Sequence, residues 1–261
     1  MSSEVHHLVD HGLAYPLVRF SGVLDATTAA PVRSILLDLL AGQPEALVVD
    51  VAGLEPVAPA AVAMLSDLRR ETADWPAAHL CLCCPKDAAG WRATGWPVWP
   101  EPGDAFAELG EPDRRTRLSA ELEPQVGAAR MARDLITEAC ARWDRPDLVG
   151  PACIVVTEMV NNVVAHARTP MTVLLAAHDD GMSVAVRDNS AVLPSYDGGP
   201  VAPTAFGGRG MLLIDSVASR WGSLVLLDGK VVWALLQADH EPEPPHSDSH
   251  DAAGMPDPAR G

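Results

Sequence analysis

The alternation of apolar and polar positions predicts a first block of strands and helices in the N-terminal part of the chain. Residues 16–24 alternate as a half-buried strand does, and Ala46–Val51 and Ala78–Cys84 are continuous apolar runs of the kind found in buried strands. Apolar residues recur at helical spacing through 27–40 and Ala60–Arg70. Strands that alternate with helices in this way predict an α/β layer domain.

The C-terminal part shows a second block with a different order of elements. Two helices come first, followed by a tight hairpin, a loop, a short helix and a final hairpin, and this order predicts an α+β sandwich. The predicted helices are Pro124–Arg142, the segment around Glu158, and Met211–Ser219; the predicted strands are Met171–Ala177, Met182–Arg187, Ser223–Leu227 and Val231–Gln237; the loop is 191–206.

Residues 100–116 separate the two blocks. They are dense in proline, glycine and charge, so we expect a domain boundary within them. The predicted units are residues 1–112, with a core at about 13–100, and residues 113–238.

Composition and charge argue against two classes of partner, membranes and nucleic acids. The chain has 261 residues, of which 48% are hydrophobic, and no apolar run approaches the length that crosses a bilayer. The N-terminus lacks the basic and then apolar layout of a signal peptide, so we expect a cytoplasmic protein without membrane contact. The formal net charge of −16 opposes direct binding to nucleic acid.

Part of the negative charge is concentrated at the C-terminus. Residues 239–261 hold six acidic residues against Arg260, a net of −5, which leaves −11 for the remainder of the chain. This segment is rich in proline and serine and almost empty of large apolar side chains. It is therefore predicted to be a disordered acidic tail.

The five cysteines allow two interpretations, because three of them crowd together at Cys81, Cys83 and Cys84. A zinc site would need a second pair of ligands at loop-like spacing, whereas Cys140 and Cys153 lie in apolar helical surroundings. Small thiol side chains in a buried strand, in a reducing compartment, are the favoured interpretation.

The helix that contains Glu158 carries the most informative polar residues. Glu158, Asn162 and His166 follow one another at a spacing of four, which places a carboxylate, an amide and an imidazole in one line on one helix face. A carboxylate beside an amide carbonyl can accept a proton from a hydroxyl and can offer an oxygen to Mg²⁺. The alternative is a solvated polar stripe on an ordinary amphipathic helix.

Two further motifs follow this helix in the chain. Asp188 ends a predicted strand, where its carboxylate can accept a hydrogen bond from the exocyclic amine of adenine. The turn Gly207–Gly210 opens a helix and offers backbone N–H groups to phosphate, with a charged contact from Arg209. The loop between them could close as a lid. Taken alone, Asp188 can be a turn former, and the glycine turn can be the start of a helix that binds no ligand. The Glu158 helix, Asp188 and the glycine turn in this order along the chain indicate a nucleotide site.

This set resembles the ATP-binding domain shared by histidine kinases, gyrase, the Hsp90 chaperones and mismatch-repair ATPases. Within it, the match is closest to the small serine kinases that act as anti-sigma factors. The resemblance covers residues 117–238 and implies Mg²⁺ and ATP as cofactors, with Glu158 as the general base, Asn162 as the magnesium ligand and Asp188 as the adenine reader. The matching segments are Thr157–His166, Val186–Ser190, Gly208–Asp215 and Arg220–Trp233, and the nucleotide contacts they imply also include His166, Gly208, Arg209, Gly210 and Met211.

One departure from that family leaves two functions open. Members with a complete second box carry glycines after the aspartate, where this chain has Ser190 and Val192. We expect either an ATP-binding regulator of the anti-sigma serine-kinase type, or a non-catalytic switch that binds a sigma factor or an antagonist without phosphotransfer. Either protein could form a homodimer.

Residues 13–100 resemble the domain shared by sulfate transporters and anti-sigma factor antagonists, through Phe20–Asp25, Val48–Leu54 and the helix that starts near Ala60. In that family a kinase phosphorylates a serine at the start of this helix. Here positions 58–61 read Ala-Pro-Ala-Ala, so the usual hydroxyl is missing. A domain that resembles the kinase's substrate but lacks the serine suggests an intramolecular contact with the second half of the chain. We hypothesise that residues 13–100 occupy the surface where a free antagonist would bind.

Overall fold

The computed structural model of the protein describes residues 4–57, 59–72, 75, 79–84, 89–178, 180–192 and 209–237. These residues form two five-stranded sheets, one in each predicted block. The strands of the first sheet, in spatial order, are β1 (Val5–Asp10), β2 (Leu17–Leu24), β3 (Ala46–Pro56), β4 (His79–Cys83) and β5 (Val98–Trp99). β1 runs antiparallel to β2, whereas β2 to β5 are parallel to their neighbours.

Helices cover both faces of the first sheet. On one face, α1 (Ala29–Ala41) and α2 (Pro59–Glu71) share a buried cluster with alternate residues of β2 and β3. After the single turn of α3 (Ala89–Arg92), α4 (Pro102–Leu109) packs on the other face through Ala105. The predicted α/β layer fold is confirmed, and the segment expected to be a junction contains α4, which packs against β3 and β4.

The second sheet is antiparallel throughout and has the order β6-β7-β8-β10-β9. Three helices cover one of its faces, and their buried side chains form a second core with alternate residues of the strands. The strands are β6 (Arg117–Leu122), β7 (Met171–His178), β8 (Gly181–Asp188), β9 (Arg220–Val225) and β10 (Lys230–Gln237); the helices are α5 (Ala128–Arg142), α6 (Val149–Asn162) and α7 (Arg209–Val217). This is the predicted α+β sandwich, with β6 in addition.

The apolar stripe of α6 forms the centre of the second core, where Val155, Val156, Met159 and Val160 are buried. Among the described residues, Pro146–Ala167 has the length and hydropathy of a membrane span, with a mean value of 1.6 and 39% of the window buried. The sequence analysis expected no segment long and apolar enough to cross a bilayer, and this helix meets that criterion of length and composition. Core helices of soluble proteins pass the same test, so the result is weak evidence of a membrane span.

The first half of the chain packs on the sheet face that α5, α6 and α7 leave open. Side chains alternate along β8 and β10, so that Val184 and Ala234 join the core beneath α6 whereas Ala185 and Trp233 join the core of the first half. The indole rings of Trp75 and Trp233 meet edge to face across this interface, with centroids 5.7 Å apart. The predicted intramolecular contact is thus present between the two halves.

The first half and the Glu158 helix lie on opposite sides of the second sheet. Glu158 lies on α6, whereas Trp233 faces the first half. Because alternate residues of a strand face opposite sides, the face that packs on the first half does not also carry the helix with Glu158. That residues 13–100 occupy the surface where a free antagonist would bind stays a hypothesis.

The cysteine thiols belong to the two cores. All five are free, and Cys81, Cys83, Cys84 and Cys140 are buried. Burial raises the pKa of the Cys81 and Cys140 thiols to about 11, and that of the Cys83 thiol to about 12. Within the described ranges, no group of three or more His, Cys, Asp or Glu side chains could hold a metal ion.

Candidate functional site

Glu158 projects from α6 toward the first turn of α7. Its side chain is half-buried, and a Cβ atom on residue 210 would lie 2.6 Å from Glu158 Oε2. Only glycine at position 210 leaves room for the carboxylate where it stands. The structure therefore brings together Glu158 and Gly210, two residues that the sequence analysis assigned to one site.

Asn162 lies one turn further along α6 and contacts the same helix. Its Nδ2 is 3.9 Å from the Sδ atom of Met211, which is buried in the second core. Glu158, Asn162, Gly210 and Met211 thus form one cluster, the α6–α7 cluster, in which a carboxylate and an amide lie beside the N-terminal turn of α7. The chemistry available to this cluster is proton acceptance by the carboxylate and metal ligation by the amide oxygen.

His166 lies in a distorted part of the helix. The helix changes to a π-helical turn over Val163–Ala167, in which Arg168 N donates to Val163 O at 2.7 Å. His166 lies within this turn and is exposed, whereas Glu158 and Asn162 lie in the α-helical part and are half-buried. A nucleotide contact of His166 stays a prediction.

Asp188, at the end of β8, is almost completely buried, with 1% of the residue exposed. Lys230 Nζ lies 2.9 Å from both carboxylate oxygens and donates to Oδ1, and the same ammonium donates to Ser190 O at 3.1 Å. Ser190 N also donates to Oδ1, at 2.7 Å. Oδ2 has the same ammonium within ion-pair distance and receives no hydrogen bond from the described residues.

A short segment connects Asp188 to the end of the Glu158 helix. Asp188 lies opposite Met171 in the antiparallel register of β7 and β8. The next residue, Asn189, donates its backbone N–H to Thr169 Oγ1 at 3.1 Å, just after the π-turn. The segment from Asn162 to Met171 therefore runs from the α6–α7 cluster to the strand residue that pairs with Asp188.

The predicted glycine turn is only partly within the described residues. Gly207 and Gly208 lie outside them, and of Arg209 only the backbone is described, as the first residue of α7. Most of the predicted loop 191–206 also lies outside. Ser190 and Val192, which stand where the family has glycine, do not have positive φ angles, so the local backbone is compatible with side chains there.

Lys230 is the residue of this site that the sequence analysis missed. A lysine at the start of a strand after an Asp-Gly turn is expected to face solvent, yet 7% of the residue is exposed. The available signal was the register of the hairpins, because Lys230 pairs directly with Asp188 across β8 and β10. That register depends on turn geometry, which the strand pattern alone does not determine.

Residues 118–225, from β6 to the end of β9, match the family model of the histidine kinase-like ATPase domain. The second half of the chain therefore carries a histidine kinase-like ATPase domain, as the sequence predicts. A search of curated proteins finds no match.

Three solved structures are similar to parts of the chain. An anti-sigma factor antagonist from Mycobacterium paratuberculosis is 21% identical over 41% of this chain and 94% of its own, with a TM-score of 0.35. The RsbU and RsbW domains of Rv1364c from Mycobacterium tuberculosis are 16% identical over 46% of this chain and 31% of theirs, with a TM-score of 0.36. The antagonist SpoIIAA in its unphosphorylated form is 14% identical over 41% of this chain and 100% of its own, with a TM-score of 0.31.

Proposed function

We propose that the protein is an ATP-binding signalling regulator of the anti-sigma factor serine-kinase type. The observation that carries the proposal is the buried Asp188 carboxylate, whose Oδ2 receives no hydrogen bond from the described residues. Its neighbour among the described residues is the Lys230 ammonium at 2.9 Å, so a lone pair is left for a further donor. The exocyclic amine of adenine is such a donor, whereas guanine carries a carbonyl oxygen at the same ring position.

The α6–α7 cluster supports Mg²⁺ as the second cofactor. Mg²⁺ binds through one or two protein oxygens together with phosphate and water, and the Asn162 amide would provide such an oxygen. Bound ATP would supply the phosphoryl group for transfer. Glu158 would accept the proton of the attacking hydroxyl, and the backbone N–H groups of Gly210 and Met211 lie in the first turn of α7, where intrahelical acceptors are missing.

The remaining contacts implied by the family resemblance stay part of this proposal. Gly208 and Arg209 precede or begin α7, so a nucleotide phosphate held by that helix would meet them first. His166 lies within the π-turn and is exposed, so a contact with bound nucleotide would be made at the surface of the site.

A non-catalytic switch is the second candidate. It is favoured by Ser190 and Val192, which stand where family members with a complete second box have glycine. Such a protein would bind a sigma factor or an antagonist without phosphotransfer.

The similar solved structures include proteins described as anti-sigma factor antagonists. We accordingly propose a protein partner of this system, a sigma factor or an antagonist, and a cytoplasmic location. We also propose that residues 1–112 and 113–238 are the two structural units, followed by the acidic tail at 239–261. The net charge of −16 argues against nucleic acid as a direct partner, and a homodimer stays a prediction.

The test is calorimetric titration of the full chain with ATP and Mg²⁺, combined with conversion of ATP to ADP, in which water serves as the hydroxyl. Glu158→Gln should bind ATP as the wild type does and should lose conversion by about 100-fold or more, because a general base is removed. Glu138→Gln, on the exposed surface of α5, is the matched control and should leave both unchanged. Binding without conversion in the wild type would favour the switch, and absence of binding would overturn the nucleotide proposal.

A further inference from the structure

We propose that Lys230 is a specificity-determining residue, which makes the site select adenine over guanine by holding the Asp188 carboxylate in one orientation, with Oδ2 as the acceptor for the base. The inference rests on the proposed function and extends it to a residue that the family motifs do not assign. Lys230 would act on the base through Asp188, so it is a positioning residue and not a catalytic one.

The position of Lys230 is set by strand pairing. It is the first residue of β10 and lies directly opposite Asp188 in the antiparallel register with β8. Its side chain is 8% exposed, and that of Asp188 is 0% exposed. Cross-strand partners lie close enough for their side chains to meet without a long reach, so the ammonium is held at the carboxylate.

The contacts divide the two carboxylate oxygens into different roles. Oδ1 accepts from Lys230 Nζ at 2.9 Å and from Ser190 N at 2.7 Å. Oδ2 is buried and has Lys230 Nζ within ion-pair distance at 2.9 Å, but it receives no hydrogen bond from the described residues. Lys230 also donates to Ser190 O at 3.1 Å, and this contact holds the turn that supplies the second donor to Oδ1. The carboxylate is thus held through Oδ1, which leaves Oδ2 as the acceptor for a further donor.

The charge of Lys230 is as important as its hydrogen bonds. A buried carboxylate without a counterion is strongly unfavourable, so the Asp188 side chain needs a nearby cation. The neighbouring Arg187 is not the counterion of Asp188, because its side chain faces the other side of the sheet and pairs with Asp38 and Asp228. Among the described residues, Lys230 is the cation that forms an ion pair with Asp188.

This arrangement discriminates between the two purines. Adenine carries an amine at position 6, which donates to a charged carboxylate, whereas guanine carries a carbonyl oxygen there, which the same carboxylate repels. The Lys230 ammonium is directed at Asp188 and Ser190, with which it makes its hydrogen bonds. Without Lys230, the carboxylate would lose the contact that holds Oδ1 and could rotate, so that its orientation toward the base would no longer be fixed.

The experiment compares the affinities of the full chain for ADP and GDP in the presence of Mg²⁺. The wild type should prefer ADP by about tenfold or more, because a hydrogen bond to a charged group contributes at least that factor. Lys230→Met should reduce the preference to about threefold or less, and Lys230→Arg, which keeps the charge, should retain it better. Asp180→Asn is the control, since it removes a charge at the other end of β8, where Asp180 pairs with Gln237.

A second variant covers the case in which Lys230→Met fails to fold. Asp188→Asn/Lys230→Met removes both charges, and its amide offers a donor as well as an acceptor, so the ADP preference should again be lost. An unchanged preference in either folded variant would overturn the role of Lys230 and leave the proposed function intact. A wild type that binds ADP and GDP equally would overturn the role of Lys230 together with the adenine contact of Asp188, and would leave only nucleotide binding in place. A wild type that binds neither would overturn the proposed function and the role of Lys230 together.

Discussion

Arg187 of β8 donates from its Nη2 atom to Asp38 Oδ1 of α1, at 2.7 Å, and so joins the two halves of the chain. The same nitrogen donates to Asp228 Oδ1 in the β9–β10 turn at 3.0 Å. Arg187 immediately precedes Asp188, whose side chain faces the opposite side of the sheet. The interface between the halves and the proposed base contact are therefore built on the same short segments of β8 and the β9–β10 hairpin.

Replacing Arg187 by glutamine should weaken both the interface and the site. We expect the free energy of unfolding to fall by about 1–2 kcal/mol, since Arg187 is only a quarter exposed and loses two ion pairs. The affinity for ADP should fall as well, because the backbone that carries Asp188 loses its support. Urea unfolding and calorimetric titration measure the two effects.

The control for this variant is Arg142→Gln, which breaks an exposed i,i+4 pair with Glu138. It should change the stability by less than about 0.5 kcal/mol and leave ADP affinity unchanged. A destabilised Arg187→Gln protein with wild-type affinity would show that the interface does not support the site.

Replacing Trp233 by alanine should uncouple the unfolding of the two halves of the chain. Trp233 is 6% exposed and packs edge to face on Trp75 of the first half. Removing such a side chain from a core typically costs about 3–5 kcal/mol. Calorimetric unfolding should show a lower midpoint and two resolved transitions in place of a shared one. Leu227→Ala, at an exposed position, is the control. The prediction would be contradicted if Trp233→Ala unfolded in a single transition with a midpoint within about 2 °C of that of Leu227→Ala.

The elements around the site were predictable because their apolar patterns are strong. The stripe of α6 and the apolar runs of β8 and β10 stand out against their surroundings, and Asp188 at the end of β8 follows from where that run stops. β1 and β6 were missed because each lies at a sheet edge and mixes charged or histidine residues with few apolar ones.

Two further features, the π-turn and the packing of the two halves, could not be predicted from the pattern of apolar residues, because neither depends on that pattern. The π-turn at Val163–Ala167 follows an unbroken helical sequence, and nothing in that sequence distinguishes an i→i+5 bond from the usual one. The packing of the first half on the far face of the sheet depends on complementarity between two surfaces, which involves Trp75 and Trp233 from distant parts of the chain. Local periodicity contains no information on such pairs.

The buried thiols should make the protein less stable at high pH. Burial raises the pKa of Cys83 from 9.0 to about 12, so between these values the folded chain holds a proton that the unfolded chain has lost. The stabilisation is complete below pH 9 and is lost as the pH rises toward 12. Cys81 and Cys140, with pKa values of about 11, act in the same direction.

Urea unfolding from pH 8 to pH 11 measures this effect. The free energy of unfolding should decrease above pH 9 by about 1 kcal/mol per pH unit for each thiol involved. Cys83→Ala should be less stable at pH 8, because it leaves a small cavity, and should show a shallower decrease. An equal decrease in the wild type and in Cys83→Ala would assign the alkaline loss of stability to other groups.

Replacing Gly210 by alanine should disturb Glu158 without unfolding the protein. The new Cβ would lie 2.6 Å from Glu158 Oε2, which is the far end of a flexible side chain and can move away at small cost. The gain of alanine over glycine in a helix offsets part of that cost, so the free energy of unfolding should stay within about 1 kcal/mol of the wild type. Conversion of ATP to ADP should fall by about tenfold or more, because a displaced general base no longer meets the attacking hydroxyl. Gly150→Ala, at the start of α6, where a Cβ meets nothing within 4 Å, is the matched control and should leave conversion unchanged. A Gly210→Ala protein with full conversion would show that the position of Glu158 beside α7 is not the one used for catalysis.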